Sequence, residues 1–394
     1  MEGALMDSTD AASIMREIMA EFAALTGLSP PGTSPRRYLW TDAFAVCNFL
    51  ELFRRTRDEA FLELGLRLVD QVHHGLGRHR IDDPRTGWIS GLAEEEGERH
   101  PTIGGLRIGK GLNERGPAES ADEQLEWDRD GQYYHYLTKW MHALCRVGQE
   151  SGEPDYLQWA LELARTAHAR FTHLPPWENR QRLYWKMSID LSRPLVSSMG
   201  QHDPLDGLLT CCELQAAAGG IRGTGDLPPL DTEIAELAGI CQGKVWATGD
   251  PLGIGSLLAD TWWIVQLMDG EGFPYPAMLK ELLTAALHSL RAFTAGDPLL
   301  LPVSYRFPFR ELGLAIGLHG AERLLARMAD HPGLFDRDLR MKADGLQRYL
   351  PLSEMIERFW LDKENRKGES WREHREINMV MLATSLAPDG FLTV

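Results

Sequence analysis

Residues 126–148 read EWDRDGQYYHYLTKWMHALCRVG. A polar, aromatic-rich turn runs into an apolar stretch with helical spacing, which Gly148 ends. The same pattern recurs near Trp40, Pro204, Gly253, Phe309 and Arg372. Amphipathic stretches alternate with these: 59–76, 154–171, 231–243, 276–293 and pieces of 337–360. A further helix over 12–25 can serve as the last outer element. Six inner and six outer helices predict an all-α fold, an (α/α)6 toroid of six helical hairpins in one domain over 1–394. No repeat of fixed period argues for an open solenoid. In such a toroid the inner helices start at one end, so residues distant in sequence meet in one concave site.

The inner segment LGIGSLLADTWWIVQLM (252–268) is apolar around most of its circumference, as a helix buried on all sides must be. Gly253, Gly255, Gly313 and Gly317 lower helix propensity and mark where neighbouring helices are expected to approach closely. The stretch 78–127 is different, rich in glycine and charge with only short apolar runs. Such a length inside a compact domain predicts a long irregular insertion, with short strands or a flap near the mouth of the ring.

Composition narrows the function class. Formal charge is 41 − 57 = −16, against the basic footprint of a nucleic-acid binder. No run reaches the ~20 apolar residues of a membrane span. The N-terminal MEGALMDSTDAAS (1–13) lacks a basic start and a long apolar run, so no signal peptide is expected. The cysteines Cys47, Cys145, Cys211, Cys212 and Cys241 are odd in number, form no CxxC, and mostly sit in apolar helical runs. They read as reduced and buried, in a cytoplasmic protein. GxSxG, P-loop, GxGxxG and HExxH patterns are absent, and the histidines show no zinc spacing. No metal or cofactor is expected.

The turns before the inner helices carry the candidate chemistry. The first holds Trp40 and Asp42, with Thr41 or Asp42 suited to cap the helix. The second brings Trp127, Asp128, Asp130, Gln132 and Tyr133 to a helix start, where either aspartate can cap or act. The third, SSMGQHDPLDG (197–207), brings Gln201, His202 and Asp203, with Asp203 placed as a cap before Pro204. Tyr305, Arg306 and Arg310 come from the fifth, and Trp371, Arg372 and His374 from the sixth. Aromatic platforms beside Asp, Arg and Gln suit a polyhydroxylated ring, whose CH faces stack and whose hydroxyls need donors and acceptors. The arginines either focus a positive field on an anionic sugar or pair with acids of the same turns.

On its helical hairpins and aromatic–acid turns, the chain resembles the six-hairpin glycosidase-like superfamily. That group includes unsaturated glucuronyl and rhamnogalacturonyl hydrolases, and the N-acylglucosamine 2-epimerase type shares its ring. The resemblance implies a saccharide bound at the inner-helix starts. Its hydrolases imply aspartates there, a role open to Asp128, Asp130 and Asp203. Its epimerases imply paired histidines, a role open to His202 and His374. The first reading is a glycoside hydrolase-like enzyme on a small, possibly anionic, saccharide, with Asp203 and Asp130 as the carboxylate pair. Trp40, Trp127, Tyr133 and Trp371 then stack the sugar, and Arg306, Arg310 and Arg372 hold an acidic group. A 2-epimerase using two histidines and a non-catalytic carbohydrate-binding ring are the alternatives.

Overall fold

The computed structural model describes residues 8–32, 34–220, 228–270 and 272–394. Residues 1–7, much of the stretch that bears on a signal peptide, lie outside them. By its contacts the chain divides into two compact units. Unit 1 comprises Met1–Phe22, Arg54–Thr56 and Lys244–Val394, and unit 2 comprises Ala23–Phe53 and Arg57–Gly243. Helix α1, Ser8–Leu25, opens the chain, four residues earlier than its apolar pattern suggests.

Unit 2 contains three helical hairpins. The first pairs α2 (Leu39–Thr56) with α3 (Glu59–Leu76). Every residue of α2 from Leu39 to Leu52 is buried, whereas α3 buries only Gly65, Leu68, Val69, Val72, His73 and Leu76. That contrast separates an inner helix from an outer one. Neither Thr41 nor Asp42 caps α2. The cap is Tyr38, and the Asp42 carboxylate, inside the first turn, accepts the Tyr38 N–H at 2.9 Å. The stretch after α3 holds α4 (Glu94–Arg99) and α5 (Glu123–Asp128), with isolated bridges Arg78–Trp88 and Leu112–Arg129.

Strand β1 (Gln132–Tyr133) then leads into α6 (Tyr134–Ser151), which pairs with α7 (Pro154–Phe171). Short strands follow: β2 (Thr172–His173), β3 (Arg182–Leu183), β4 (Lys186–Met187) and β5 (Pro194–Val196). Strand β4 lies between β1 and β5, antiparallel to both, and sets Tyr133 opposite Lys186. The last hairpin of unit 2 is α8 (Asp203–Gly220) with α9 (Asp231–Cys241). The helix at Asp203 starts one residue before its apolar pattern, because the His202 carbonyl accepts the Asp206 N–H. Asp203 is thus the first helical residue and not the residue before it. All five cysteines are buried, and none is in a disulfide.

Unit 1 is built on α10 (Pro251–Asp269), with α11 (Ala277–Thr294) outside it. Next come α12 (Pro308–Asp330), α13 (Arg337–Asp344) and α14 (Pro351–Leu361). The sixth inner segment is broken: α15 (Glu369–Glu373) stops, His374 leaves helical geometry, and α16 (Arg375–Leu386) begins. A short α17 (Asp389–Leu392) ends the chain. Helices α10 and α12 cross backbone against backbone. A Cβ on Gly255 would lie 2.0 Å from the Gly313 carbonyl oxygen, and one on Gly317 would lie 2.2 Å from that of Gly255. Three of the glycines singled out in the sequence are therefore the contact itself. Behind them, His319 of α12 meets Glu357 of α14 at 2.7 Å, and Glu357 also accepts from Ser385 of α16.

Two outcomes are expected. Gly255→Ala should lower unfolding stability by about 3 kcal/mol, because two main chains must separate, while Gly111→Ala, with nothing near its Cβ, should stay within about 0.5 kcal/mol. Denaturant melts of the two variants check this. Burial opposes charge on His319, but Glu322 and Glu357 outweigh it and raise its pKa to about 9. A raised histidine pKa contributes stability in full below about 6.5, lost as pH rises through about 9. Thermal midpoints across that window should fall in the wild type and flatten in His319→Gln.

Candidate functional site

Three helices of unit 2 begin beside one another, and their first turns form an aromatic cluster. The Tyr38 and Tyr136 hydroxyls are 2.7 Å apart, which joins the entry of α2 to the first turn of α6. Trp40 lies 6.5 Å from the Tyr136 ring. Trp185, immediately before β4, sits 5.1 Å from Tyr133 and stacks parallel to His135 at 6.3 Å. The pairing of β4 with β1 puts it there. Trp127 of α5, 56% exposed, packs edge-on to Trp185 at 5.2 Å. A cavity of about 430 Å³ runs along this face, lined by Trp127, Tyr133, Trp185, Glu126 and Ser198 among others.

Tyr133 and Trp185 also pack on His135, whose Nδ1 lies 3.7 Å from Asp203 Oδ1 at the start of α8. One helical turn on, Asp206 pairs with Lys139 at 3.2 Å. Burial pushes the His135 pKa down to about 4; Asp206 opposes this and Lys139 adds to it. A quarter of the His135 side chain stays exposed. The arrangement is a neutral, reachable imidazole with a carboxylate behind it, beside flat aromatic walls. Such a pair can take up and return a proton.

Several other residues expected in the site are engaged by the scaffold. Asp130 does not cap a helix: it precedes β1 and is 0% exposed. Its Oδ2 accepts from Arg107 at 2.6 Å and Arg80 at 3.3 Å, and its Oδ1 from the N–H groups of Gly109 and Gly131 at 3.0 and 3.1 Å. These four donors occupy both oxygens of the Asp130 carboxylate. Gly109 is required there, since its φ is +93° and a Cβ would meet the Arg37 carbonyl oxygen at 2.2 Å. Gln132 is equally committed, accepting from Leu106 N–H and donating to the carbonyls of Gly104 and Ile189. Asp42 pairs with buried Arg37 at 3.4 Å, and burial raises its pKa to about 6 against the pull of Arg37. Asp128 ends α5 in solvent and caps nothing. Trp40 is 8% exposed, a support beneath Tyr136 more than a platform. Gln201 is exposed and His202 half-buried, both directly before α8.

In unit 1 the starts of three inner helices also come together. Asp250, the cap residue of α10, pairs with Arg310 of α12 at 2.8 Å, and Phe309 meets the His374 ring at 5.8 Å. Arg306 is buried and grips Glu311 through Nε and Nη2 at 2.9 and 2.5 Å. Arg306 and Arg310 are thus paired with acids, as the plainer reading of these arginines had it. Tyr305 and His374 are exposed, and Trp371 is buried against Trp360 at 5.8 Å. Sequence reasoning passed over Trp185 and Lys139, and left His135 outside its chosen site. The one signal was the aromatic content of 172–203.

No protein-family model matches the chain, and no curated protein matches it. Among solved structures, a D-mannose isomerase aligns over 98% of this chain and 100% of its own, at 12% identity and a TM-score of 0.53. An α-1,6-mannanase from Salegentibacter sp. HEL1_6 aligns over 96% and 99%, at 10% identity and a TM-score of 0.52. A polysaccharide lyase aligns over 98% and 99%, at 11% identity and a TM-score of 0.51. These likenesses show the fold alone, an all-α (α/α)6 toroid. No helix among the described residues is long and apolar enough to cross a membrane.

Asp130→Asn should cost about 3 kcal/mol of stability, because it removes the charge that offsets buried Arg107. Asp128→Asn should stay within about 0.5 kcal/mol. Urea unfolding of both variants decides it; equal stabilities would return Asp130 to the list of reactive groups.

Proposed function

We propose that the protein is a carbohydrate-active enzyme that transfers a proton at the His135–Asp203 pair. The favoured reaction is isomerisation or epimerisation of a small aldose. The observation that carries this reading is the neutral His135, stacked on Trp185 and 3.7 Å from Asp203, at a cluster of helix starts. The similarity in fold to a mannose isomerase, a mannanase and a polysaccharide lyase supports a saccharide as ligand.

Each group then has a task. Trp127, Trp185 and Tyr133 offer ring faces to the sugar CH groups. In the open-chain aldose the carbon next to the carbonyl carries an acidic proton. His135 Nε2 removes it, while Nδ1 faces Asp203, whose charge stabilises the imidazolium that forms. Delivery of the proton to the neighbouring carbon, with the C2 hydroxyl proton passing to the C1 oxygen, gives a ketose; delivery of a proton to the opposite face of C2 gives the epimer. His202, the residue before Asp203, is the candidate second base for that return.

A second reading is hydrolysis. It rests on Asp203 and Asp206, both buried and one turn apart on α8, in place of Asp130, whose carboxylate accepts from Arg107 and Arg80. Here Asp203 protonates the leaving oxygen and Asp206 directs water.

Incubation with mannose and glucose in deuterated water tests the two. Deuterium is expected at C2, with His135→Ala and Asp203→Asn each losing at least about 100-fold in rate. Since His135 is neutral above about 4, activity should hold flat on the acid side to near that pH instead of falling from 6.5. Cleavage of a disaccharide without exchange, lost in Asp203→Asn and kept in His135→Ala, would turn the assignment to hydrolysis.

A further inference from the structure

A cavity of about 550 Å³ in unit 1 is lined by five cations, Lys363, Arg366, Lys367, Arg372 and Arg375. Glu21 is the one acid among the lining residues. The acids interleaved with these cations in sequence, Asp362, Glu364, Glu369, Glu373 and Glu376, do not line it. This concentration of positive charge stands in a chain of net charge −16.

The cations differ in what neutralises them. Arg375 pairs with Glu21, and Lys367 with Glu364 at 2.7 Å, both across solvent-exposed side chains where such pairs exchange at little cost. Lys363 and Arg372 are exposed and make no ion pair among the described residues. Arg366 is half-buried, with its guanidinium carbon 5.2 Å from the centre of the Trp371 ring. It donates only to neutral carbonyls, Trp360 at 2.5 Å and Leu361 at 3.1 Å. Burial lowers its pKa, and the attraction of Glu21 and Asp362 offsets this only in part. In unit 1, Arg306, Arg310, Arg323 and Arg327 each have a carboxylate partner. A fixed guanidinium without a counter-ion, flanked by free cations in a concave site, is a place for a bound anion.

We propose that this cavity binds a phosphate-bearing small molecule. Its volume suits a small molecule. A long polyanion would meet the flanking acids and the overall negative charge of the protein.

The test is isothermal titration of the full chain, in low-salt buffer free of phosphate, with inorganic phosphate and with glucose 6-phosphate. One-site saturable binding of at least one probe is expected, weakening as salt is raised. Lys363→Ala and Arg372→Ala should each weaken it by roughly tenfold, the loss of one charge-assisted contact. Both positions are exposed, so thermal midpoints should not move. Equal affinity for the two probes would show that the phosphate alone is read; tighter sugar phosphate would show that the cavity reads the sugar too. Saturation by neither probe, or unchanged affinity in both variants, would overturn the proposal.

Discussion

Unit 2 is organised around one carboxylate that water never reaches. A buried charge is tolerated only when every lone pair is used, and Asp130 meets that condition with two guanidinium groups and two main-chain N–H groups. Those donors come from the stretch after α3 and from Gly131, the residue before β1. The contact therefore fixes where the irregular insertion ends and in which direction the chain enters α6. Lys186 braces the same corner from β4, with its ammonium on the carbonyls of Glu126 and Arg129 and on the Glu126 carboxylate. The main chain between these anchors has little freedom left. Tyr133 and Trp185 face each other as a result, and the aromatic cleft follows.

Charge is spent in two ways in this structure. Most acids and arginines near the helix starts hold each other: Asp130 with Arg107, Asp42 with Arg37, Glu311 with Arg306, Asp250 with Arg310. Their pairing stiffens the turns. His135 and Asp203 stand apart, at 3.7 Å, close enough to couple and too far to be locked together. A scaffold made rigid by spent charges can hold a reactive pair whose own geometry still has room to close on a substrate.

In unit 1 the constraint is steric. Helices α10 and α12 pack so closely that only hydrogen fits at Gly255 and Gly317, which brings carbonyl oxygens of one helix against the backbone of the other. That contact sets the spacing of the two inner helices, and the Asp250–Arg310 pair falls at their starts. Lys363, Arg366 and Arg372, which make no ion pair among the described residues, lie elsewhere, between the end of α14 and the start of α16.

Helices were legible because burial imposes a period. The uninterrupted apolar faces of α2 and α10 and the one-sided faces of α3 and α7 are written in the spacing of Leu, Val, Ala and Phe, and most ends fell within a few residues of the prediction. The glycine crossing was legible too, since glycine inside a helix needs a reason. The break at His374 was not, because a turn between two helical segments leaves no change in apolar period. Nor were the roles of the polar residues. Asp130 and Asp203 look alike in sequence, each an aspartate in a polar turn before an apolar run. That the oxygens of Asp130 are taken depends on Arg80, Arg107 and Gly109, brought in from 21 to 50 positions away. Trp185 reaches His135 only through the pairing of two-residue strands, too short to leave any alternation in the sequence. Local periodicity determines which segments are helices and which face is buried. Contacts distant along the chain decide which charges are satisfied, and therefore which are left to do chemistry.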